Sequence, residues 1–216
     1  GLQSTVFPVG GGVARIHTNG VPDLLTSTNA RVYKVRAQTD GKILLGGEFT
    51  GTRNYIARVS ATGSLDGSYA CGTRNFVKDV VQQTDGKVVM VGFFSTFDWV
   101  SNPANGTLAS QTTNRIVRTN SDGSLDNTFN MGTAFDLGAH CIALQSDGKL
   151  VVGGGFSSYN NVSTGRVVRL NTDGTLDNSF SSGTYSGPSP IVQALAIQPD
   201  GKILVGGIFS QYNGVG

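Results

Sequence analysis

The chain has 216 residues with a formal net charge of +2; 31 residues are glycine and only 14% are charged. No apolar run approaches the ~18 residues that a membrane helix needs, and no basic stripe of the kind that follows nucleic-acid phosphates is present. The abundance of turn-forming residues disfavours a helical protein. The content of 38% hydrophobic residues, with 11 Phe, argues against disorder. We therefore expect a folded domain with neither membrane insertion nor a nucleic-acid partner.

The first repeated motif pairs an Arg with an Asp eight residues later, with a Gly between them. In the copy Asn171-Thr-Asp-Gly-Thr175, the residues suit a three-residue hairpin loop with Gly174 in the left-handed region. That register places the Arg opposite the Asp on one sheet face, which predicts a cross-strand ion pair in every copy. The predicted structural pairs are Arg15–Asp23, Arg58–Asp66, Arg118–Asp126 and Arg169–Asp177.

The second motif reads Gln-x-Asp-Gly-Lys, then an apolar run ending in Gly and a Phe. Its four copies have their Asp at 40, 85, 147 and 200, so the spacings are 45, 62 and 53 residues. The same turn chemistry predicts a second hairpin, hence four strands per repeat. In the last copies we place strand one near 192–198, strand two near 202–209, strand three near 166–171 and strand four near 175–180. Strand two is apolar on both faces, which predicts that neighbouring sheets cover both.

Four-stranded sheets of about 50 residues that are covered on both faces are typical of a β-propeller. We therefore predict an all-β fold, a β-propeller of four-stranded antiparallel blades in a single domain over 1–216. The repeats span approximately 32–66, 77–126, 139–177, and 192–216 completed by 13–25. Three arrangements stay open: the two ends pair into a fourth blade, the chain is a window on a longer array, or two chains combine into one ring.

The combined pattern, from Gln-x-Asp-Gly-Lys through Arg to Asp-x-x-Phe, resembles the delta-60 repeat, a bacterial and phage β-propeller-type repeat. Its diglycine is also similar to that of kelch blades. The resemblance covers nearly the whole chain and implies a propeller module of a large secreted, cell-surface or virion protein, without assigned catalytic residues. The first copy departs from the pattern, because Leu24-Leu25 follow Asp23 without the closing Phe, and the second copy ends in Tyr69.

Candidate binding residues lie in the connections between strands two and three and between strand four and the next strand one, an end of the blades that varies widely, whereas the Asp-Gly turns barely vary. Variable loops on a rigid scaffold are where binding usually resides. The longest connection, 95–114, carries the only Trp, and aromatic with Asn or Asp side chains suits a sugar surface. The alternative is that Phe97 and Trp99 fold back into the core. The candidate ligand-binding residues are Phe97, Asp98, Trp99, Asn102, Tyr159 and Tyr185.

The inventory of catalytic side chains is poor. His17 stands at a turn position, and His140 has no second ligand at metal spacing. Cys71 and Cys141 could form a disulfide if two blades bring them together, and two free thiols are an equal alternative. We therefore predict no enzyme activity, no cofactor and no metal, and we disfavour a hydrolase or lyase in a central channel.

The function expected from these features is that of a non-enzymatic propeller module, extracellular, on a cell surface or on a virion. Its variable loops would serve adhesion or host recognition, with a glycan or a protein receptor as partner. The alternative is a purely structural spacer or assembly domain, for which a homo-oligomer or larger assembly is the expected partner.

Overall fold

The computed structural model describes residues 11–51, 53–102 and 104–215, so the first ten residues of the predicted domain lie outside the described ranges. Within those ranges the chain forms twenty strands and no helix. The strands are β1 (Gly11–Ile16), β2 (Pro22–Thr28), β3 (Val32–Ala37), β4 (Ile43–Gly47), β5 (Ile56–Val59), β6 (Cys71–Thr73), β7 (Val77–Gln82), β8 (Val88–Gly92), β9 (Thr96–Asn102), β10 (Thr107–Thr112), β11 (Ile116–Thr119), β12 (Ala139–Leu144), β13 (Leu150–Gly154), β14 (Ser158–Tyr159), β15 (Val162–Ser163), β16 (Val167–Leu170), β17 (Tyr185–Ser186), β18 (Ile191–Ile197), β19 (Ile203–Ile208) and β20 (Gln211–Tyr212).

Three antiparallel sheets repeat one topology and form the first, second and third blades. Their strand orders are β3-β4-β5, β7-β8-β11 and β12-β13-β16. The central strand of each blade is buried along its whole length, as its apolar sequence on both faces predicts. The pair β18–β19 supplies strands one and two of a fourth blade. The all-β propeller prediction is therefore confirmed.

The fourth strand of each complete blade is shorter than predicted. It consists of one residue, Leu65, Leu125 or Leu176, which forms an isolated bridge to strand three. The strand ends there because the next residue is the motif Asp, which closes a turn. In the third blade, Asp177 accepts the Ser179 N–H on its carboxylate at 3.0 Å and the Phe180 N–H on its carbonyl at 3.1 Å. The prediction of a strand over 175–180 is corrected accordingly.

The first copy of the motif behaves differently, and its sequence explains why. Leu25 stands where the other copies carry Ser68, Thr128 and Ser179, so this copy offers no hydroxyl to the Asp carboxylate. No turn follows Asp23, and β2 continues to Thr28. A bulge in its pairing with β1 places Arg15 opposite Leu24 and not, as predicted, opposite Asp23, although the two side chains still pair. The N-terminal hairpin is therefore a longer ladder than the other copies form.

The Asp-Gly hairpin turns have the geometry that their sequence predicts. In the third blade the Asn171 N–H donates to the Thr175 carbonyl at 2.8 Å, and Gly174 has a φ of +89°. Only glycine adopts that conformation without strain. All eight turns carry glycine at this position, with φ between +80° and +89°: Gly20, Gly41, Gly63, Gly86, Gly123, Gly148, Gly174 and Gly201.

The two glycines that end strand two are required for different reasons. A Cβ on the first, Gly153, would lie 2.5 Å from a methyl of Val192 in the next blade, so this position admits close packing between blades. A Cβ on the second, such as Gly92, would lie 2.0 Å from the carbonyl oxygen of Phe76 in the same blade. A bulge in strand one turns that carbonyl toward the Phe93 N–H, which donates to it at 2.9 Å. Because of this bulge, any residue with a Cβ at the second position would collide with the carbonyl oxygen, so the position requires glycine.

The blades pack through their apolar faces and through one buried carboxylate. The largest core cluster includes Leu44 of the first blade, Met90 of the second and Val152 of the third. Asp79, buried in the second blade, contacts the Lys34 ammonium of the first blade at 2.9 Å and accepts the Ile142 N–H of the third blade at 3.2 Å. One side chain therefore connects three blades.

The two ends of the blade series are each half a blade. The β1–β2 hairpin packs on the first blade, where Val13 is buried with Ile43 and Leu45. The β18–β19 pair packs on the third blade, where Val192 is buried with Val151. Within the described residues β1 is hydrogen-bonded to β2 alone and β19 to β18 alone. Completion of the last repeat by 13–25 therefore stays a prediction.

Candidate binding surface

The variable connections fold into small additional sheets at the connecting end of the blades. The insertion 95–114 forms the hairpin β9–β10, and β9 also pairs with β6, the segment before strand one of the same blade. In the third blade β14–β15 is a shorter hairpin that bridges to Phe135, and in the fourth blade β20 pairs with β17. Each of these three blades thus closes its connecting end by pairing the segment before strand one with the segment after strand two.

Phe97 and Trp99 lie on the core-facing side of β9, but only Phe97 is fully buried; Trp99 is partly buried and also borders a surface groove. Side chains alternate along a strand, so these two share one face of β9 and Asp98 takes the other. Phe97 is fully buried, and Trp99 packs on the main core cluster with its ring stacked on that of Phe97, 5.7 Å between centroids and 16° between planes. The arrangement favours the alternative in which these aromatic side chains stabilise the hairpin itself.

The opposite face of this sheet carries a polar network. Arg74 donates to Asp98 from Nε at 3.0 Å and from Nη2 at 2.9 Å, and Nη2 also donates to the Ser110 hydroxyl at 3.0 Å. The Ser110 hydroxyl donates in turn to Asp98. The hydrogen bonds from Arg74, followed by that from Ser110, lower the pKa of Asp98 despite its partial burial. The network therefore presents a fixed, charged pair at the surface.

An apolar patch adjoins this network. Leu108 is 72% exposed, and together with Val100 and Trp99 it lines a groove of about 280 Å³. Arg53 and Asn54 border the same groove. We call the outward face of β6–β9–β10 the outer sheet face and define it by Arg74, Asp98, Val100, Leu108 and Ser110. Fixed polar groups beside exposed apolar surface are the usual composition of a binding groove.

The remaining candidate residues have structural contacts. Asn102 caps the hairpin turn, since its side-chain oxygen accepts the Ala104 N–H at 3.0 Å. Tyr159 is fully buried, and its hydroxyl donates to the Gly174 carbonyl at 2.6 Å. Tyr185 is partly buried, with its ring 5.2 Å from that of Phe209. Of the six candidate residues, therefore, Asp98 alone presents its side chain on the outer sheet face.

We expect Tyr159→Phe to destabilise the protein by about 1–2 kcal/mol, because the Gly174 carbonyl loses its buried donor. Tyr159→Ala should cost about 3–5 kcal/mol, since the ring also packs against Phe135 at 4.8 Å. Urea denaturation followed by circular dichroism measures both values. Similar stability of Tyr159→Ala and the parent protein would instead support an exposed, ligand-facing side chain.

The Arg–Asp pairs are present in all four copies of the motif. The Arg Nε lies 2.8 Å from Asp23, 2.8 Å from Asp66, 2.6 Å from Asp126 and 2.7 Å from Asp177. In the three complete blades the guanidinium also lies over the ring of Tyr69, Phe129 or Phe180, 4.6 to 5.0 Å from its centroid. Charge pairing and aromatic packing therefore occur at the same repeated position.

Sequence reasoning missed a third member of this unit, the Lys of the Asp-Gly-Lys motif. The ammonium of Lys42 lies 3.0 Å from Asp66, that of Lys87 2.9 Å from Asp126, and that of Lys149 2.8 Å from Asp177. We call each set of Lys, Arg and Asp a carboxylate cluster. The Lys follows the turn at a constant position in every copy, which was a usable signal in the sequence. Only the pairing of strands two and three, however, shows that this Lys lies beside the Asp.

Two of these Arg side chains also connect neighbouring blades. Arg58 of the first blade donates from Nη1 to the Ser121 carbonyl of the second at 2.6 Å. Arg118 of the second blade donates in the same way to the Thr172 carbonyl of the third. The carbonyl belongs in each case to the next blade's Asp-Gly hairpin. The clusters therefore tie together strands within a blade and blades to one another.

Both cysteines are buried, and both histidines contact a neighbouring side chain. Cys71 and Cys141 are unpaired, and burial raises the pKa of each thiol to about 12. His140 packs edge-on against Phe93 at 5.0 Å, and burial, with a contribution from Lys78, lowers its pKa. His17 Nε2 lies 3.5 Å from the carboxylate of Asp23. In the described ranges, no three His, Cys, Asp or Glu side chains are grouped as a metal site would require.

No helix of sufficient length and apolarity to cross a bilayer occurs in the part of the chain that the structure describes. The chain matches no protein of the curated set. A solved structure, that of a protein of unknown function from Bacteroides caccae, is similar over 76% of this chain and 73% of its own, with 12% sequence identity and a TM-score of 0.36.

The family described as "Domain of unknown function (DUF5122) beta-propeller" matches 38–69, 105–129, 145–180 and 198–216. Three of the matched segments contain an Asp-Gly-Lys turn, and three contain the motif that runs from the Arg to the Asp of a carboxylate cluster. The match therefore follows the repeats that form the blades, and the chain belongs to this β-propeller family.

Proposed function

We propose that this propeller is a non-enzymatic recognition module of a cell-surface or virion protein, built from delta-60-type repeats, and that it binds glycans through the outer sheet face. The observation that carries the proposal is the insertion at 95–114, which folds into the supported sheet β6–β9–β10. The three complete blades share the same hairpins and clusters, but among the described residues only the second blade has so large a sheet at its connecting end.

The chemistry of the outer sheet face supports this ligand class. Arg74, Asp98 and Ser110 offer donors and acceptors in a fixed arrangement, and sugar hydroxyls need both. Leu108 supplies exposed apolar surface beside them, against which the C–H groups of a sugar ring can pack. Because the phenyl and indole rings of β9 support the sheet from behind, the face is rigid before any ligand arrives.

The glycan proposal is tested on a printed glycan array, followed by affinity measurement on any glycan that binds. The double variant Leu108→Ala/Ser110→Ala should lower affinity by about tenfold or more, because it removes both the apolar patch and a fixed hydroxyl. The matched control is Val162→Ala/Ser163→Ala on the equivalent short hairpin of the third blade, which should bind as the parent does. Absence of binding on the array, or equal binding by both variants, contradicts the proposal.

A further inference from the structure

Strand one of every blade carries a β-bulge near its start, at the connecting end. The bulge residues differ in type but all have a polar group: Tyr33, Lys78, His140 and Gln193. Strand one of each blade contacts strand one of the next, so the four bulges form a row along one edge of the stacked blades. Because bulges re-aim side chains and are frequent beside functional sites, this row is a candidate site.

Lys78 differs from the other lysines of the chain. Its ammonium lies over the ring of Tyr33 in the first blade, 3.4 Å from the centroid. The other five lysines each lie 2.8 to 3.0 Å from a carboxylate, whereas Lys78 forms no ion pair within the described residues. Complete blades flank the second blade on both sides, so these surroundings do not depend on the chain ends. A partly buried ammonium without a paired carboxylate favours an anion supplied by a ligand.

The charged groups around Lys78 leave this place positive. Burial lowers the pKa of Lys78, and Glu48 and Arg31 of the first blade act on it with opposite signs. The Glu48 carboxylate accepts a hydrogen bond from the Tyr33 hydroxyl. Burial, with a contribution from Lys78, lowers the pKa of His140, so this imidazole is neutral at pH 7. Two cations and one carboxylate therefore leave one net positive charge.

Aromatic rings from the first two blades adjoin the bulge residues. Phe93 follows the diglycine of the second blade, is 38% exposed, and donates its N–H to the Phe76 carbonyl, two residues before Lys78. The His140 imidazole of the third blade packs edge-on against the Phe93 ring at 5.0 Å. Consecutive blades thus present an ammonium, an exposed ring and an imidazole in one row. We define the bulge site by Tyr33, Glu48, Lys78, Phe93 and His140.

We propose that the bulge site binds an acidic sugar ring of the uronic-acid type, as a second site separate from the outer sheet face. The Lys78 ammonium binds the carboxylate, the exposed Phe93 ring packs against the C–H face of the sugar, and the His140 imidazole forms a hydrogen bond with a hydroxyl. A carboxylate matches the single net positive charge. A phosphate group would instead bring a charge of about −1.5 to −2 close to Glu48.

NMR titration of the parent protein with three sugars of the same ring tests the proposal. Glucuronate should bind about tenfold or more tightly than glucose, which has a hydroxymethyl group in place of the carboxylate, because the charged hydrogen bond to Lys78 is lost. Glucuronate should also bind more tightly than glucose 6-phosphate. Lys78→Met keeps the apolar stem without the charge and should weaken glucuronate binding by about tenfold or more, whereas Lys78→Arg should retain most of it.

Lys202→Met, which removes an exposed lysine at an Asp-Gly turn, is the matched control and should bind glucuronate as the parent does. Circular dichroism verifies that each variant folds, and the comparison of the three sugars needs no variant. Absence of glucuronate binding overturns the proposal, as does binding no tighter than that of glucose or glucose 6-phosphate, or equal binding by folded Lys78→Met.

The two binding proposals fail separately. The double variant Leu108→Ala/Ser110→Ala alters the outer sheet face and leaves every residue of the bulge site in place. It should therefore bind glucuronate with the parent's affinity in the same titration, whatever the glycan array shows. Loss of glucuronate binding in this folded double variant would place the acidic sugar on the outer sheet face and overturn the bulge site.

Discussion

Asp126→Ala is expected to destabilise the protein by about 3–5 kcal/mol. Asp126 is buried, and its carboxylate binds Arg118 at 2.6 Å, Lys87 at 2.9 Å and the Thr128 hydroxyl at 2.7 Å. Removal of the carboxylate leaves the buried guanidinium without its counter-ion. The free energy of unfolding from urea titration at neutral pH measures the loss.

The matched control is Asp23→Ala, which removes the same motif residue from the exposed N-terminal copy. Its pairing with Arg15 is open to solvent, so the loss of stability should be much smaller. Equal losses at the two positions would mean that burial of the cluster contributes nothing.

The same cluster predicts how stability depends on pH. Burial alone raises the pKa of Asp126, but hydrogen bonds from Thr128, Lys87 and Arg118 outweigh it and hold the pKa well below its ordinary value. The stabilisation is therefore fully present above the unfolded-state pKa of about 4 and is lost as the pH falls below it. Asp126→Ala should accordingly flatten the fall in unfolding free energy at acidic pH.

Gly92→Ala should also have a large effect and is expected to lower the free energy of unfolding by about 3 kcal/mol. The added Cβ would lie 2.0 Å from the Phe76 carbonyl oxygen, and the bulge that places this oxygen also satisfies the Phe93 N–H. Because the obstacle is backbone, it cannot rotate away as a side chain would. The strand pairing of the second blade must shift, and the midpoint of urea unfolding should fall.

Gly67→Ala is the control for this substitution. No described atom lies within 4 Å of the Cβ that it would add, and the other complete blades carry Asn127 and Asn178 at that position. The expected change is within about 0.5 kcal/mol. Comparable losses for both variants would show that glycine flexibility, and not the close carbonyl, sets the cost.

Much of the candidate site could not be predicted from the sequence, for a physical reason. An alternation of residues such as Phe97, Asp98 and Trp99 tells which side chains share a face, but not which face meets the core. The pairing of β9 with β6, in which Trp99 lies opposite Cys71, decides that question. The aromatic candidates consequently lie behind the sheet, and Asp98 lies in front.

The sequence alone determined much of the local geometry of this protein, from the Asp-Gly turns to the opposition of Arg169 and Asp177, because the three-residue loop that pairs Asn171 with Thr175 also sets the register beside it; in the first copy a bulge shifts that register. Tertiary structure decided the rest. The Lys that completes each cluster and the carbonyl that Arg58 contacts in the next blade depend on segments far apart in the chain. Such contacts form only when the strands of a sheet assemble and the sheets stack, and no spacing within one hairpin encodes them.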